Sequence, residues 1–200
     1  TGAFQKILSA PDKPDYIIQM DADFSHDPKI IPKMLEEIKK RPASPSLQGF
    51  EVGTGSGVIA VTLLAEFPNL RMTAVEVAPV AVETTLENAR RHEVISRLNL
   101  ITGDFLLMTD DPRLGSHFDF IVSNPPYLNA REFAELPTGI KDFEPTEALS
   151  GGADGLSFYR VLADFARGHL APEGFMAVEI SESQGGAVPE IFRCAGLKHV

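Results

Sequence analysis

The 200-residue sequence has no tryptophan, one cysteine and only three tyrosines. The single Cys194 excludes an internal disulfide and fits a reducing compartment. Its surroundings read as a short helix in which it is a small apolar residue. Basic residues are also scarce: 18 Lys and Arg stand against 28 Asp and Glu, giving a formal net charge of −10. That balance disfavours binding to nucleic-acid phosphates, so no direct nucleic-acid partner is expected. No apolar run is long enough to span a bilayer and no signal peptide is visible. A cytoplasmic protein without a membrane partner is the expectation. The five histidines, His26, His92, His117, His169 and His199, show no ligand spacing, and no metal centre is expected from them. Internal repeats and low-complexity tracts are absent.

What is present is the composition of a soluble globular chain, 44% apolar and 23% charged, long enough for one ordinary domain with a small attachment. Tyr16 to Met20 reads as a strand and ends in Asp21-Ala22-Asp23. Pro28 to Lys40 has helical periodicity, with Asp27 as N-cap and proline at the first helical position. Paired aspartates after a strand can hold a divalent cation against a diphosphate; the alternative is two solvated carboxylates at a strand end. Arg41-Pro42-Ala43-Ser44-Pro45-Ser46 then reads as a linker. We expect residues 1–42 to form a strand-helix attachment and residues 43–200 the main domain. Thr1 replaces the expected Met, and a strand-like pattern begins just before Val200, so both ends are expected to be cut.

The main domain begins as a strand, Phe50-Glu51-Val52, followed by Gly53-Thr54-Gly55-Ser56-Gly57 and a helix over Val58 to Phe67. Glycines let a backbone approach a ligand closely, and a helix N-terminus favours negative charge. A second strand, Arg71 to Glu76, ends in an acid about twenty residues past the loop, the offset at which a carboxylate meets ribose hydroxyls. A helix over Val80 to His92 leads to a strand Leu98 to Ile101 and then Gly103-Asp104-Phe105. Asp104 can accept from an exocyclic amine of adenine, with Phe105 against the ring. Each acid alone is equally an acid at a strand end; their joint spacing distinguishes them.

The buried run Phe118 to Ser123 stops at Asn124-Pro125-Pro126-Tyr127. Two prolines cannot donate to a sheet ladder, so Asn124 is presented at the carboxyl end of a strand, where open α/β sheets bind ligands. The Asn124 side-chain oxygen and the Pro125 carbonyl can each accept one N–H of a planar –NH2 group, and Tyr127 can pack on its face. That fits adenine in DNA, guanine in ribosomal RNA, or glutamine. A polar loop, Leu128 to Ile140, follows. Beyond it we expect a helix over Tyr159 to His169, a strand over Gly174 to Ile180, and a short helix over Pro189 to Ala195.

Gly53-x-Gly55-x-Gly57 followed by Glu76 and Asp104 resembles the S-adenosylmethionine-dependent methyltransferases, against a nicotinamide enzyme or a non-binding α/β domain. From about residue 47 to 200 the chain resembles the release-factor glutamine methyltransferases. The matching pieces are Glu51 to Gly57, Val122 to Tyr127, Phe143-Glu144-Pro145 with Ala148-Leu149, and Gly151-Gly152 with Asp154-Gly155-Leu156 and Phe158-Tyr159-Arg160. The resemblance implies an α/β, Rossmann-like methyltransferase sheet, truncated at its C-terminal end. It implies S-adenosylmethionine as cofactor, touching Glu51, Gly53, Thr54, Gly55, Gly57, Glu76, Asp104, Phe105 and Asn124. It implies Asn124, Pro125 and Tyr127 as catalytic residues and Asn124, Pro125, Pro126, Tyr127, Phe143 and Glu144 as substrate contacts. For Phe143 and Glu144 the alternative is a loop anchor and a helix-capping acid. The implied substrate is the glutamine of a Gly-Gly-Gln tripeptide in a peptide-chain release factor; a ribosomal-protein glutamine is the neighbouring reading, and cofactor binding without turnover another. Residues 15–40 resemble a fragment of a dolichol-phosphate mannosyltransferase-like glycosyltransferase, in which Asp21 and Asp23 would be metal ligands. With only fourteen residues before Asp15, no sugar-nucleotide site is expected there.

Overall fold

The computed structural model describes Ile38, residues 46–137 and residues 149–197. The chain divides into two units, residues 1–39 and 40–200, and the strands and helices described belong to the second. The strand and aspartate pair expected before residue 28, the helix expected over residues 28–40 apart from Ile38, the linker apart from Ser46, and the Phe143-Glu144-Pro145 segment lie outside the described residues.

Five parallel strands form one sheet: β1 (Leu47–Val52), β2 (Leu70–Glu76), β3 (Leu98–Thr102), β4 (Phe118–Ser123) and β5 (Leu170–Val178), in the order β3-β2-β1-β4-β5. The helices are α1 (Val58–Glu66), α2 (Pro79–Arg91), α3 (Ala130–Glu135), α4 (Ser157–His169) and α5 (Ala187–Cys194). Strand order runs outward from β1 to β3, then reverses to place β4 on the other side of β1. The carboxyl ends of β1 and β4 therefore flank the point where the winding switches direction, the crevice in which such sheets bind ligands.

Apolar strand residues explain the layers. Phe50 and Val52 of β1 join Val75, Ile101, Ile121 and Phe165 in one buried cluster. Three rings meet there: Phe50 lies 4.9 Å from Phe118 and 4.8 Å from Phe165 between centroids. A second cluster, Tyr159, Ala163, Val188 and Phe192, joins α4 to α5. Arg97 closes the far end of α1: its guanidinium donates to the carbonyls of Leu64, Phe67 and Leu70 at 2.5, 2.9 and 3.1 Å. It satisfies carbonyls that a helix terminus leaves open.

Most element boundaries lie within two residues of the sequence reading; helix α3 falls inside the stretch read as a polar loop, and two strands begin three or more residues earlier than expected. β1 begins at Leu47 rather than Phe50, because Gly49 is a packing position. A Cβ there would stand 2.3 Å from the Met72 sulfur and 2.5 Å from the Phe120 ring. β5 begins at Leu170 rather than Gly174. Its register jumps from Phe118 opposite Leu170 to Phe120 opposite Phe175. Pro172, Glu173 and Gly174 are extruded as a bulge, with Glu173 at φ 62°. Bulges accept a proline that a regular ladder excludes.

Candidate active site

A cleft of about 440 Å³ opens over the carboxyl ends of the strands. Each of β1 to β4 delivers a residue to it: Gly53, Glu76, Asp104 and Asn124, with Gly55 and Pro126 beside them. The fold thus brings the ends of four strands, far apart in sequence, to one cleft.

The glycine loop is held from three sides. Gly53, Gly55 and Gly57 have φ of 69, 57 and 80°, a region that costs other residues steric strain. The Gly55 N–H donates to Glu76 Oε2 at 2.8 Å, and the Val77 and Ala78 N–H groups donate to Glu76 Oε1 at 2.9 Å each. From α2, the Thr85 hydroxyl donates to the Gly55 carbonyl at 2.8 Å and the Asn88 amide to the Ser56 carbonyl at 2.9 Å. A Cβ on Gly57 would meet Thr85 at 2.9 Å, whereas a Cβ on Gly55 would meet nothing within 4 Å. Gly55 therefore faces open cleft, and Gly57 faces packed structure.

Glu76 occupies the expected place with altered capacity. A carboxylate has about four acceptor positions, and three are taken by backbone N–H groups. One position on Oε2 remains for a ligand, so a vicinal diol cannot engage both oxygens without displacing a backbone partner. Asp104 uses Oδ1 to accept from the Leu106 N–H at 3.0 Å, capping the short turn Phe105–Leu107. Its other oxygen is available. Phe105 touches the cleft, but its ring is 3% exposed and packs edge-on to Phe165 at 5.2 Å. That ring belongs to the core rather than lying flat over a ligand.

Glu51 and Thr54 were expected at the cofactor, and neither lines the cleft. β1 alternates, so Phe50 and Val52 face one side of the sheet and Glu51 faces the other, beneath α1. Glu51 is 1% exposed, and its Oε2 accepts from the Thr54 hydroxyl at 2.8 Å and the Ala60 N–H at 3.1 Å. Burial pushes its carboxyl up from 4.5 to about 8, helped by the nearby Glu76 and opposed by the two hydrogen bonds. The pair shapes the loop from below.

The Asn124 turn has a comparable frame. Ser123 is buried and donates its hydroxyl to the Val52 carbonyl at 2.9 Å, fixing β4 to β1 at the crevice. Asn124 is exposed, and its carboxamide takes no partner among the described residues. Pro125 is buried and does not line the cleft, and Pro126 does. Tyr127 is half-buried and packs against the Tyr159–Phe192 cluster, which anchors the turn. The Gly151–Gly155 segment seats against the turn: a Cβ on Gly151 would stand 2.8 Å from the Pro126 carbonyl, and one on Gly155 2.4 Å from the Tyr127 carbonyl. Asp154 and Arg160, singled out by the sequence, form an exposed ion pair at 2.5 Å, which holds the Asp154 carboxyl down at about 2. They brace that segment and lie outside the cleft.

Sequence reasoning missed Thr85, Asn88, Ser123 and Gln184, whose partners are distant in sequence. Phe143, Glu144, Asp21 and Asp23 lie outside the described residues. Among the described residues no group of His, Cys, Asp or Glu could hold a metal ion, and no helix is long and apolar enough to cross a membrane.

Two proteins named release factor glutamine methyltransferase are similar to this chain. The one from Aquifex aeolicus (strain VF5) is 41% identical over 162 residues, covering 81% of this chain and 55% of the relative. The one from Cereibacter sphaeroides is 41% identical over 158 residues, covering 79% and 55%. The chain therefore spans about half the length of these curated relatives. Among solved structures, a SAM-dependent methyltransferase from Agrobacterium tumefaciens superposes with a TM-score of 0.59 at 16% identity, over 85% of this chain and 50% of that one. TrmN from Thermus thermophilus gives 0.53 at 18% identity, over 80% and 39%. At those identities the likeness is one of fold, the Rossmann-like methyltransferase sheet. The family described as methyltransferase small domain matches residues 33–137, a span that holds the glycine loop, Glu76, Asp104 and Asn124, and the chain belongs to that family.

Proposed function

We propose that this chain is the catalytic part of an S-adenosylmethionine-dependent methyltransferase acting on the side-chain amide of a glutamine, in the Gly-Gly-Gln tripeptide of a peptide-chain release factor. The observation that carries the reading is the exposed carboxamide of Asn124 at the mouth of the cleft that also presents Gly55, Glu76 and Asp104. The names of the relatives at 41% identity support the same substrate. The reaction is assigned to residues 43–200, in a cytoplasmic protein whose partner is a protein rather than nucleic acid, with Phe143 and Glu144 as further substrate contacts.

The residues present fit the cofactor. The free position on Glu76 suits one ribose hydroxyl, the free Asp104 oxygen suits the adenine amine, and the open face of Gly55 admits a ligand against backbone. The chemistry that S-adenosylmethionine supplies when bound is an electrophilic methyl group on a sulfonium. What the chain must supply is an oriented nitrogen. An amide nitrogen is a poor nucleophile because its lone pair is delocalised. The Asn124 oxygen accepts one of its N–H bonds from within the cleft, and the other is assigned to the main-chain carbonyl of Pro125, whose ring is buried beside it; together they fix the direction of the lone pair and stabilise the positive charge that develops on nitrogen. A strong base is not required, since one of those protons can pass to water after nitrogen has become cationic.

Incubation with methyl-labelled S-adenosylmethionine and a release factor, beside a ribosomal protein, DNA and ribosomal RNA, tests the reading. Label on the Gly-Gly-Gln glutamine is the expected result. Label on the ribosomal protein alone would replace the substrate, and label on nucleic acid alone would overturn the amide assignment.

A further inference from the structure

Behind the Asn124 turn, away from the cleft, lies a buried polar cluster that the reaction does not use. Gln184 is 7% exposed and follows β5 on the short turn Glu182–Gln184. Its Nε2 donates to the Tyr127 carbonyl at 3.0 Å and to the Gly155 carbonyl at 2.9 Å. Its Oε1 accepts from the Ser181 N–H at 3.1 Å and from the Tyr159 hydroxyl at 3.2 Å. The hydroxyl of Tyr159, fully buried, carries one proton, which that oxygen shares with the Glu179 carbonyl at 2.8 Å. The pattern settles which end of the amide is which: two carbonyls, which can only accept, face the nitrogen, and the Ser181 N–H, which can only donate, faces the oxygen.

We propose that Gln184 is a positioning residue for the Asn124 turn, pinning the Tyr127 carbonyl to the Gly151–Gly155 segment and to α4 so that Asn124 stands at a fixed depth in the cleft. The proposal rests on the reading of that turn as the amide cradle. The prolines stiffen the turn but donate no hydrogen bonds, so its position depends on what holds its carbonyls. Local ladders continue the clamp: Leu128 N–H bonds to Leu149 O at 3.1 Å, and Gly151 N–H to Leu128 O at 2.9 Å. Gln184 reaches three chain segments from one side chain, which apolar packing cannot do with direction. Glutamine is also the side chain that meets both demands. A carboxylate would set an acceptor against two carbonyls, and methionine fills the volume but donates to neither.

The test compares Gln184→Met and Gln184→Glu with the wild-type chain by amide hydrogen exchange, cofactor calorimetry and methylation of a Gly-Gly-Gln peptide. Expected for Gln184→Met is faster exchange over residues 127–130, unchanged exchange over residues 51–66, and cofactor affinity within about twofold of wild type, with kcat lower on the order of 10- to 100-fold, the scale of a displaced reacting group. Gln184→Glu is expected to be worse than Gln184→Met on both exchange and kcat. Should either variant fail to fold, Tyr159→Phe, which removes one partner of Oε1, is expected to accelerate the same amides to a smaller degree. Unchanged exchange over residues 127–130 in Gln184→Met overturns the proposal, as does loss of cofactor affinity equal to the loss of kcat. If the wild-type chain does not methylate the peptide, the exchange result still decides the clamp, and only the reading of the turn fails.

Discussion

Glu51 offers the most quantitative prediction. Its carboxyl titrates near 4.5 when exposed and at about 8 in the fold, because burial penalises the charged form more than the Thr54 and Ala60 hydrogen bonds favour it. Below pH 4.5 both folded and unfolded chains hold the proton, and the group has no effect on stability. Between 4.5 and about 8 the unfolded chain releases the proton while the folded chain keeps it. Stability therefore falls as pH rises through that window and levels off above it. Each pH step is worth about 1.36 kcal/mol, so the full window is worth up to ~5 kcal/mol. Against a net stability on the order of 5–15 kcal/mol, that is a large share. Glu51→Gln removes the titration and keeps an oxygen for Thr54 and Ala60. Urea unfolding at fixed ionic strength from pH 5 to 9 should show the wild type losing about 3–5 kcal/mol more than the variant across the range. Other titrating groups act on both proteins and cancel in the difference. Parallel pH profiles for the two would refute the claim that Glu51 is held neutral beneath the loop.

Asn124→Ala should lower turnover on a Gly-Gly-Gln peptide by about 100-fold or more, the scale of losing one preorganised polar contact to the reacting group, while calorimetry finds cofactor affinity near normal. Glu76→Ala should weaken cofactor binding by ~1.5–3 kcal/mol, the worth of a charged hydrogen-bond acceptor, and accelerate exchange of the Gly55, Val77 and Ala78 amides; unchanged affinity would remove Glu76 from the site. The glycines should separate stability from binding: Gly57→Ala, forced against Thr85, should cost about 1–3 kcal/mol of stability, whereas Gly55→Ala should lose cofactor affinity with a smaller stability loss, because its methyl enters open cleft. Arg97→Ala should destabilise by about 1.5–3 kcal/mol through three carbonyls left without their charged donor, read as a shift in the urea midpoint with kcat unchanged.

The sequence made the strand ends legible for a physical reason. Phe118 to Ser123 is a largely apolar run, interrupted by Asp119 and followed after Asn124 by two prolines, and a parallel strand buried on both faces reads that way. The acids Glu76 and Asp104 stood out because a charge directly after such a run has only the sheet end to occupy. Residues whose role depends on a distant partner were not legible. Gln184 lies 57 residues from Tyr127 and 29 from Gly155, and nothing near it in the sequence marks either contact. The start of β1 at Leu47 was not legible because the rings and thioether that fill the missing side chain of Gly49 come from β2 and β4. Glu51 is a different case, buried beneath α1 and absent from the cleft lining. Its neighbours in the glycine loop made it look like a ligand contact, although the alternation of β1 already placed it opposite Phe50 and Val52. Tyr127 likewise read as a stacking surface because it follows the prolines; the cluster it packs against comes from α4 and α5.

Both halves of the site are built by one device. A polar side chain holds loop backbone in place: Glu76 takes three N–H groups, Thr85 and Asn88 take carbonyls of the glycine loop, and Gln184 takes the Tyr127 carbonyl of the Asn124 turn and the Gly155 carbonyl of the segment seated against it. Ordering a loop costs roughly 1–2 kcal/mol per residue, and in this arrangement that cost is met during folding, before any ligand arrives. A ligand then meets donors and acceptors already oriented, which is the condition under which a hydrogen bond discriminates a transition state from a ground state. Against that background Asn124 is distinctive. Ser123 before it is bonded into the sheet, and Tyr127 after it is packed and clamped. The Asn124 carboxamide alone in the turn is exposed and has no protein partner among the described residues. A fold that engages its neighbours so completely leaves that group as the one free to bind, and its position at the mouth of the cleft places it against what the cleft holds.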